Sequence, residues 1–600
     1  MKGIAIGLSN NSKEILKRLK KTEFVKDIYI AGSSKDDGKE NELIQVQKPR
    51  EILLKKWPEI DLIIFIGSIA ASIRIINSFL TSKDQDPGVI VIDNKCSKIV
   101  PLIGLHQSNT QNIAYQIANL LGGEIIETNN SNDQSFLNLD AFGNQWGWKR
   151  SGNIKDWSKL VIKQAKNEEI FCKQLSGNSL WKTSESGEII NQINEKEIEK
   201  PDSTFHVSIF ENHETTWHPP VLWIGIGCER NTSKELIANS LNNLLESGNL
   251  SQQSIAGFAT IDIKKDEKGI LELSEEKNLP IKFFSKEDLS TIIVPNPSNV
   301  VQKEIGTPSV AEASCLLAAG EESKLLEEKR IFKNQSGAVT IAVAESKNQY
   351  NPTHGEIHII GSGPGDISFL TSNAKKALSR CTVWIGYKMY LDLIKPLKRN
   401  DQVLIESKLT EEKERCSKAI KLAEEGIKVA LISSGESGFY GMAGLLLELL
   451  QKIKKEYRPY FEVHPGISSV QLAAAISGAP LMNDFCSVSL SDKLTPWSLI
   501  EKRIEGALVG DFVIALFNPQ SIERNWQLKS VIDICLQSRH GDTPVLIARQ
   551  VGRENQTKKF FTLNTIPFKE IDMLSIIIIG NSQTTLVDEI FLTPRGYLQN

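Results

Sequence analysis

Ile357-His358-Ile359-Ile360-Gly361-Ser362-Gly363-Pro364-Gly365-Asp366 opens as an apolar, mostly β-branched run and then turns on three glycines and a proline. The run predicts a buried strand, and the turn predicts a place where backbone and ligand approach closely. Leu370 to Leu378 predicts a helix. Asp366 either caps that helix or is a polar group of a site, and the residue pattern leaves both roles open.

Two similar junctions lie downstream. Val429 to Ser433 leads into Ser434-Gly435-Glu436-Ser437-Gly438-Phe439-Tyr440-Gly441, rich in glycine and hydroxyls. Phe461 to His464 leads into Pro465-Gly466-Ile467-Ser468-Ser469, with a helix expected over Gln471 to Ile476. Strand-like runs recur at Phe485–Asp492, Phe512–Pro519, Pro544–Ala548 and Ser575–Ile579. The alternation is that of α/β layers.

Upstream, residues 1–130 alternate strands (Gly3–Gly7, Asp27–Ala31, Asp61–Ile66, Val89–Ile92) with helices (Ser12–Lys20, Gln111–Leu121) and read as a first α/β unit. His106 is the only histidine among the first 200 residues; it is either an ordinary loop or helix-start histidine or a proton carrier or substrate contact. Residues 131–219 begin polar, carry Trp146-Gly147-Trp148-Lys149-Arg150, read as ordinary packing, and end in the linker-like Pro219-Pro220. Residues 220–345 form a further α/β unit. Val221 to Gly227 is its first strand, Thr232 or Ser233 caps the next helix, and Gly306 to Ser314 starts another, with Pro308 near its first turn. Gly225-Ile226-Gly227 lacks the third glycine of a dinucleotide fingerprint. Residues 346–355 are a linker and 356–600 the last domain.

The 600 residues suggest about three to five folded units. A net charge of −3, from 70 basic and 73 acidic residues, argues against a generic nucleic-acid binder. Eight cysteines without a CxxC pair argue against a zinc site or a redox pair and fit a reducing cytosol. Met1 to Ile6 lacks the apolar core of a signal peptide, and no apolar run reaches the roughly 18 residues of a membrane span. The expectation is a cytoplasmic protein with neither nucleic-acid nor membrane partners.

GSGPGD (361–366), LISSGESGFYGMA (431–443), PGISSVQLAAA (465–475) and VSLSDKLTPW (488–497) resemble the tetrapyrrole methylase family. The last, with LFNPQS (516–521) and TPVLIARQVGRE (543–554), is similar specifically to precorrin-3B C17-methyltransferases. The resemblance implies two α/β lobes joined near 456–465, with an S-adenosylmethionine cleft between them. It implies Gly361, Gly363, Pro364, Gly365, Ser433, Gly435, Glu436, Ser468 and Ser469 around that cofactor. It makes Asp366 a catalytic candidate, and Asp492 and Arg553 candidates for the corrinoid substrate. The family's second loop commonly reads Gly-Asp-Pro; here it is Gly435-Glu436-Ser437, which keeps the acid and loses the rigid ring. Methyl transfer to carbon asks for in-line approach and exclusion of water more than for a strong base.

DLIIFIGSIAASIRII (61–76), DPGVIVID (86–93), the loop around His106, WGWKR (146–150), GIGCERNTS (225–233), ATIDIKKDE (259–267), FFSKEDL (283–289), VPNPSNVV (294–301) and GTPSVAEA (306–313) resemble the cobalt-precorrin-5A hydrolase family. That implies lactone opening and release of acetaldehyde, with His106, Asp262 and Glu312 as catalytic candidates and Arg230 on a substrate carboxylate. The two resemblances imply a bifunctional enzyme of corrin-ring biosynthesis, a homodimer as in much of the methylase family, with other enzymes of the pathway as candidate partners. The alternative is a methyltransferase alone, its N-terminal half only binding macrocycle or partner.

Overall fold

The computed structural model describes residues 2–22, 24–32, 44–81, 86–104, 110–126, 136–193, 201–211, 215–335, 337–521 and 523–597. The chain forms two compact units, Met1–Gln134 and Ser135–Asn600.

The first unit is built on a seven-stranded sheet ordered Gln45–Val46, Asp27–Ile30, Gly3–Gly7, Leu62–Ile66, Gly88–Ile92, Lys98–Ile103, Glu124–Ile125. Only Gly88–Ile92 and Lys98–Ile103 pair antiparallel. Leu62–Ile66 and Gly88–Ile92 are buried at every position because helices cover both faces, which is why they read as unbroken apolar runs.

The second unit contains four five-stranded sheets and a small three-stranded one. In one, Leu222–Cys228 pairs parallel with Ile255–Ile261 and antiparallel with Gly337–Glu345, whose outer neighbour is Lys324–Asn334. A wholly parallel sheet is ordered Val403–Ser407, Val383–Tyr387, Lys428–Ser433, Glu356–Gly361, Tyr460–His464. The next is mixed, ordered Phe485–Ser489, Val513–Phe517, Ser575–Ile579, Pro544–Arg549, Thr557–Thr562. These last two are the sheets of two α/β lobes.

The lobes do not join at a free linker over 456–465. Tyr460–His464 is the edge strand of the first lobe, and the crossing falls at Pro465 to Ser468. The helix Ser469–Ser477 already packs Val470, Leu472 and Ala473 with Val513, Ala515 and Leu546 of the second lobe. Pro308 also lies outside its helix, which begins at Ala311, because the Pro308 carbonyl accepts from Ser298 N–H (2.8 Å).

Residues 136–219 carry a five-stranded sheet of their own, and their aromatic core is continuous with that of the first lobe. Phe142, Trp148, Trp157, Trp181, Phe205 and Trp217 form a network of ring contacts. The contact is made at the N-terminal ends of the parallel strands. Gln145 Nε2 donates to Asp401 (2.9 Å), Thr382 Oγ1 donates to the Gln145 carbonyl (3.1 Å), and Asn178 Nδ2 donates to Glu425 (2.6 Å). Buried Gln349 binds both sides: its Oε1 accepts from Trp148 Nε1, and its Nε2 donates to the carbonyls of Trp146 and Glu425, all at 2.7 Å.

Candidate active site

The opposite, C-terminal ends of those strands carry the glycine loops, at the edge where open parallel sheets receive ligands. Gly363 N–H donates to Gly435 O (3.1 Å) and Gly435 N–H returns to Gly363 O (2.8 Å), so the first two loops pair as a short antiparallel bridge. Both residues have left-handed backbone, φ 75° and 64°, a region that disfavours a β-carbon. The third loop closes on both. A β-carbon on Gly466 would overlap the carbonyl oxygen of Gly435 and press on Gly361. From the second lobe, the Gly552 carbonyl accepts from Asp366 N–H (2.6 Å) and Arg553 Nε donates to the Pro364 carbonyl (3.4 Å). The turn 361–366 is therefore where the two lobes meet.

Gly361, Gly363, Pro364 and Gly365 are buried there. Ser433 is buried, and its Oγ accepts from Met442 N–H (3.3 Å). Glu436 Oε2 accepts from Gly438 N–H (2.7 Å), so this carboxylate shapes its own loop. Ser468 starts the Ser469–Ser477 helix, its N–H donating to Gln471 Oε1 (2.9 Å); Ser469 is the first residue of that helix. Both serines thus have a helix-starting place beside the third loop. Ser437 Oγ is buried without a hydrogen-bond partner, and a β-carbon on Gly444 would meet nothing within 4 Å. A backbone cradle and an orphaned hydroxyl fit a ligand with several polar atoms, as S-adenosylmethionine is.

Asp366 is exposed, and Ser368 holds it: its Oδ1 accepts from Ser368 N–H (2.7 Å). Hydrogen bonds from the Ser368 side chain and backbone keep this carboxyl below its ordinary range, so it stays an anion near neutrality and is a weak base. Arg553 places a guanidinium nitrogen 3.1 Å from Met389 Sδ and has no ion-pair partner among the described residues. Met389 lines a cavity of about 670 Å³ beyond the ends of Val383–Tyr387 and Val403–Ser407, with Tyr387, Lys388, Glu406 and Lys408. Asp492 is engaged within the second lobe, accepting from Gln527 Nε2 (2.9 Å). One contact escaped the sequence reading: Tyr440, at φ 57°, donates its hydroxyl across the lobes to the Ser487 carbonyl (2.9 Å), and its ring flanks Phe517. Its only signal was an aromatic pair inside a glycine loop.

Of the N-terminal candidates, Arg230, Asp262 and Glu312 belong to the unit Ser135–Asn600. His106 lies outside the described residues. Glu312 is fully buried and accepts from Asn296 Nδ2 (2.9 Å), Asn296 N–H (3.3 Å) and Lys329 N–H (3.2 Å). Asp262 is half-buried and opens a short turn after the Ile255–Ile261 strand. Arg230 is exposed and donates to Asp266 Oδ1 and the Ile263 carbonyl, both at 2.6 Å. Burial pushes the Cys228 thiol up to about 11, which leaves it protonated at neutral pH and unsuited as a nucleophile.

The family described as tetrapyrrole (corrin/porphyrin) methylases matches residues 356–567. Two further families, cobalamin synthesis G N-terminal and cobalamin synthesis G C-terminus, match residues 51–132 and 222–344. A precorrin-3B C(17)-methyltransferase of Sinorhizobium sp is 33% identical over 249 residues, 40% of this chain and 97% of that protein. A cobalt-factor III methyltransferase of Priestia megaterium is 44% identical over 245 residues, 40% of this chain and 45% of that protein. A cobalamin biosynthesis protein (CbiHC) of Archaeoglobus fulgidus is 37% identical over 246 residues, 41% of this chain and 54% of that protein. The chain thus spans about half the length of the last two. The paired glycine loops and the matched segments together place the chain in the tetrapyrrole methylase family, its methyltransferase part joined to the two cobalamin synthesis G parts.

Proposed function

We propose that residues 356–600 methylate C17 of precorrin-3B, or of its cobalt form, with contraction of the ring, and that residues 1–345 open the lactone of cobalt-precorrin-5A and release acetaldehyde. The observation that carries the first half is the meeting of three glycine loops with Arg553 at the seam between the lobes. S-adenosylmethionine supplies an activated methyl when bound. Gly361, Gly363, Pro364, Gly365, Ser433, Gly435, Glu436, Ser468 and Ser469 hold it, largely through backbone groups. Ionised Asp366 accepts a hydrogen bond from the macrocycle rather than moving a proton, and Arg553 and Asp492 bind macrocycle side chains. In the N-terminal half, Glu312, Asp262 and His106 supply acid and base groups, and Arg230 meets a substrate carboxylate after leaving Asp266. We take domain boundaries near residues 130, 219, 345 and 355, a cytosolic location and a homodimer as parts of the same reading. Among the described residues no helix is long and apolar enough to cross a membrane.

Full-length protein, S-adenosylmethionine labelled in its methyl group and the metal-free or cobalt-loaded substrate give the test. Mass spectrometry and carbon NMR are expected to find one label at C17 of a contracted ring; a label elsewhere, or none, sinks the methylation claim. Acetaldehyde from the cobalt-precorrin-5A lactone tests the other half, with Glu312→Gln expected to lower it. The full chain is the right material, because residues 136–219 share a core with the first lobe. The engagement of Glu312 and Arg230 by other protein groups favours the second reading, a methyltransferase with a binding N-terminal half; acetaldehyde release would exclude it.

A further inference from the structure

Below the cradle, on the edge of the parallel sheet, sits a cluster that the methyltransferase reading does not use. Glu356–Gly361 and Tyr460–His464 run parallel with His358 opposite Glu462 and Ile360 opposite His464. Because strand side chains alternate, Glu356, His358, Glu462 and His464 share one face. His358 and His464 are buried, while Glu462 is exposed at the sheet edge. His358 Nδ1 lies 2.9 Å from His464 Nε2, and Glu462 Oε2 lies 4.0 Å from the first and 3.9 Å from the second. All three ligand atoms fall within 4.8 Å of one another. A tetrahedral ion with bonds of about 2.0–2.2 Å keeps its ligand atoms roughly 3.3–3.6 Å apart, a spacing these three separations bracket.

The surroundings favour a cation over a bare histidine pair. His358 Nε2 is 2.8 Å from Glu356 Oε2. With the proton on Nε2, this is the carboxylate–imidazole pairing that orients metal-bound histidines. It leaves the Nδ1 lone pair directed at His464. Placing the His464 proton on its own Nδ1 then turns two lone pairs and one carboxylate toward the same point. Arg380 (2.6 Å) and Lys428 (2.9 Å) both end on Glu356 and are balanced by it rather than by Glu462. Glu462 Oε2, which also accepts from the Tyr460 hydroxyl (3.2 Å), lies on the exposed sheet edge and gives an entry path.

We propose that His358, His464 and Glu462 form a binding site for a borderline divalent transition-metal ion, of the class of zinc or cobalt(II), separate from any metal carried by the macrocycle. Two imidazoles and one carboxylate match that class. The site would tie together the strands that end in the first and third glycine loops: His358 lies three residues before Gly361, and His464 directly precedes Pro465 and Gly466. Its role is to position those loops.

The test uses full-length apo-protein titrated with zinc or cobalt(II) in the absence of tetrapyrrole, read by calorimetry and by the visible absorption of tetrahedral cobalt(II). The wild type is expected to bind one ion at this site. Both Glu462→Gln, a surface change that leaves the core intact, and His464→Gln are expected to lose it, with affinity down at least roughly tenfold and the visible bands gone. Equal binding by wild type and both variants, or no binding by any, overturns the proposal and leaves a hydrogen-bonded histidine pair.

Discussion

At the scale of single residues, charge environment decides more than residue type does. Burial disfavours ionisation of Glu356, yet the hydrogen bond from His358 and the ion pairs with Lys428 and Arg380 outweigh it and hold the carboxyl at about 2, against an ordinary value of 4.5. A depressed carboxylate pKa stabilises the fold above the unfolded value and loses that stabilisation as pH falls through the folded value. The shift corresponds to about 3 kcal/mol, expected in full above about pH 5 and lost progressively between about pH 4.5 and 2. Urea denaturation of wild type and Glu356→Gln across that range checks this: the gap in stability should be flat above pH 5 and close below it. The opposite lesson applies to Cys228. It was legible as a conspicuous residue in a glycine turn, but its burial was not, and burial keeps the thiol protonated. Cys228→Ser is therefore expected to leave acetaldehyde release within about twofold of wild type; a drop of 100-fold or more would mark it as a nucleophile.

At the scale of elements, legibility followed burial. Lys428–Ser433 and Glu356–Gly361 were readable because covered strands are largely apolar. Lys324–Asn334 was not: it is mostly exposed and rich in charge, and pairing with Gly337–Glu345 imposes its extended form. The sheet of residues 136–219 was also missed, because strands as short as Asn191–Gln192 and Thr216–His218 are too brief to show a period of two. The glycine loops were legible as loops, but their mutual pairing was not, because it is made by backbone atoms from segments far apart in sequence. Two glycines of this region separate the effects of contact and space. Gly466→Ala forces a carbon against Gly435 and Gly361 and is expected to weaken S-adenosylmethionine binding at least tenfold by calorimetry. Gly444 lies in the first turn of the Ala443–Gln451 helix and faces open space. Gly444→Ala is expected to raise stability by about 0.4–1 kcal/mol; a loss of affinity at 444 comparable with that at 466 would mean that the ligand fills the space beside the helix.

At the scale of the whole molecule, the sequence suggested two enzymes in series, with the region 131–219 belonging to the first. In the unit Ser135–Asn600 that region shares one hydrophobic core with the first methylase lobe. It docks at the N-terminal ends of the parallel strands, so it supports the sheet without touching the glycine loops at the other end. The Sinorhizobium relative is matched over 97% of its length by 249 residues of this chain. In this chain the dependence is written into Gln349, which satisfies a tryptophan N–H and two carbonyls in a place closed to water. Gln349→Ala leaves those groups unpaired, at a cost of about 1–3 kcal/mol for each that stays dry. The expected result is a clearly lowered Tm together with loss of methyl transfer on mild heating, although the substitution is remote from the loops. A chain starting at Ser135 should unfold in one transition that includes the methylase lobes, whereas one starting at Glu356 should melt earlier and aggregate through the exposed face of the first lobe. Equal melting temperatures for the two would show the shared core to be contact without coupling, and residues 136–219 to be an independent module.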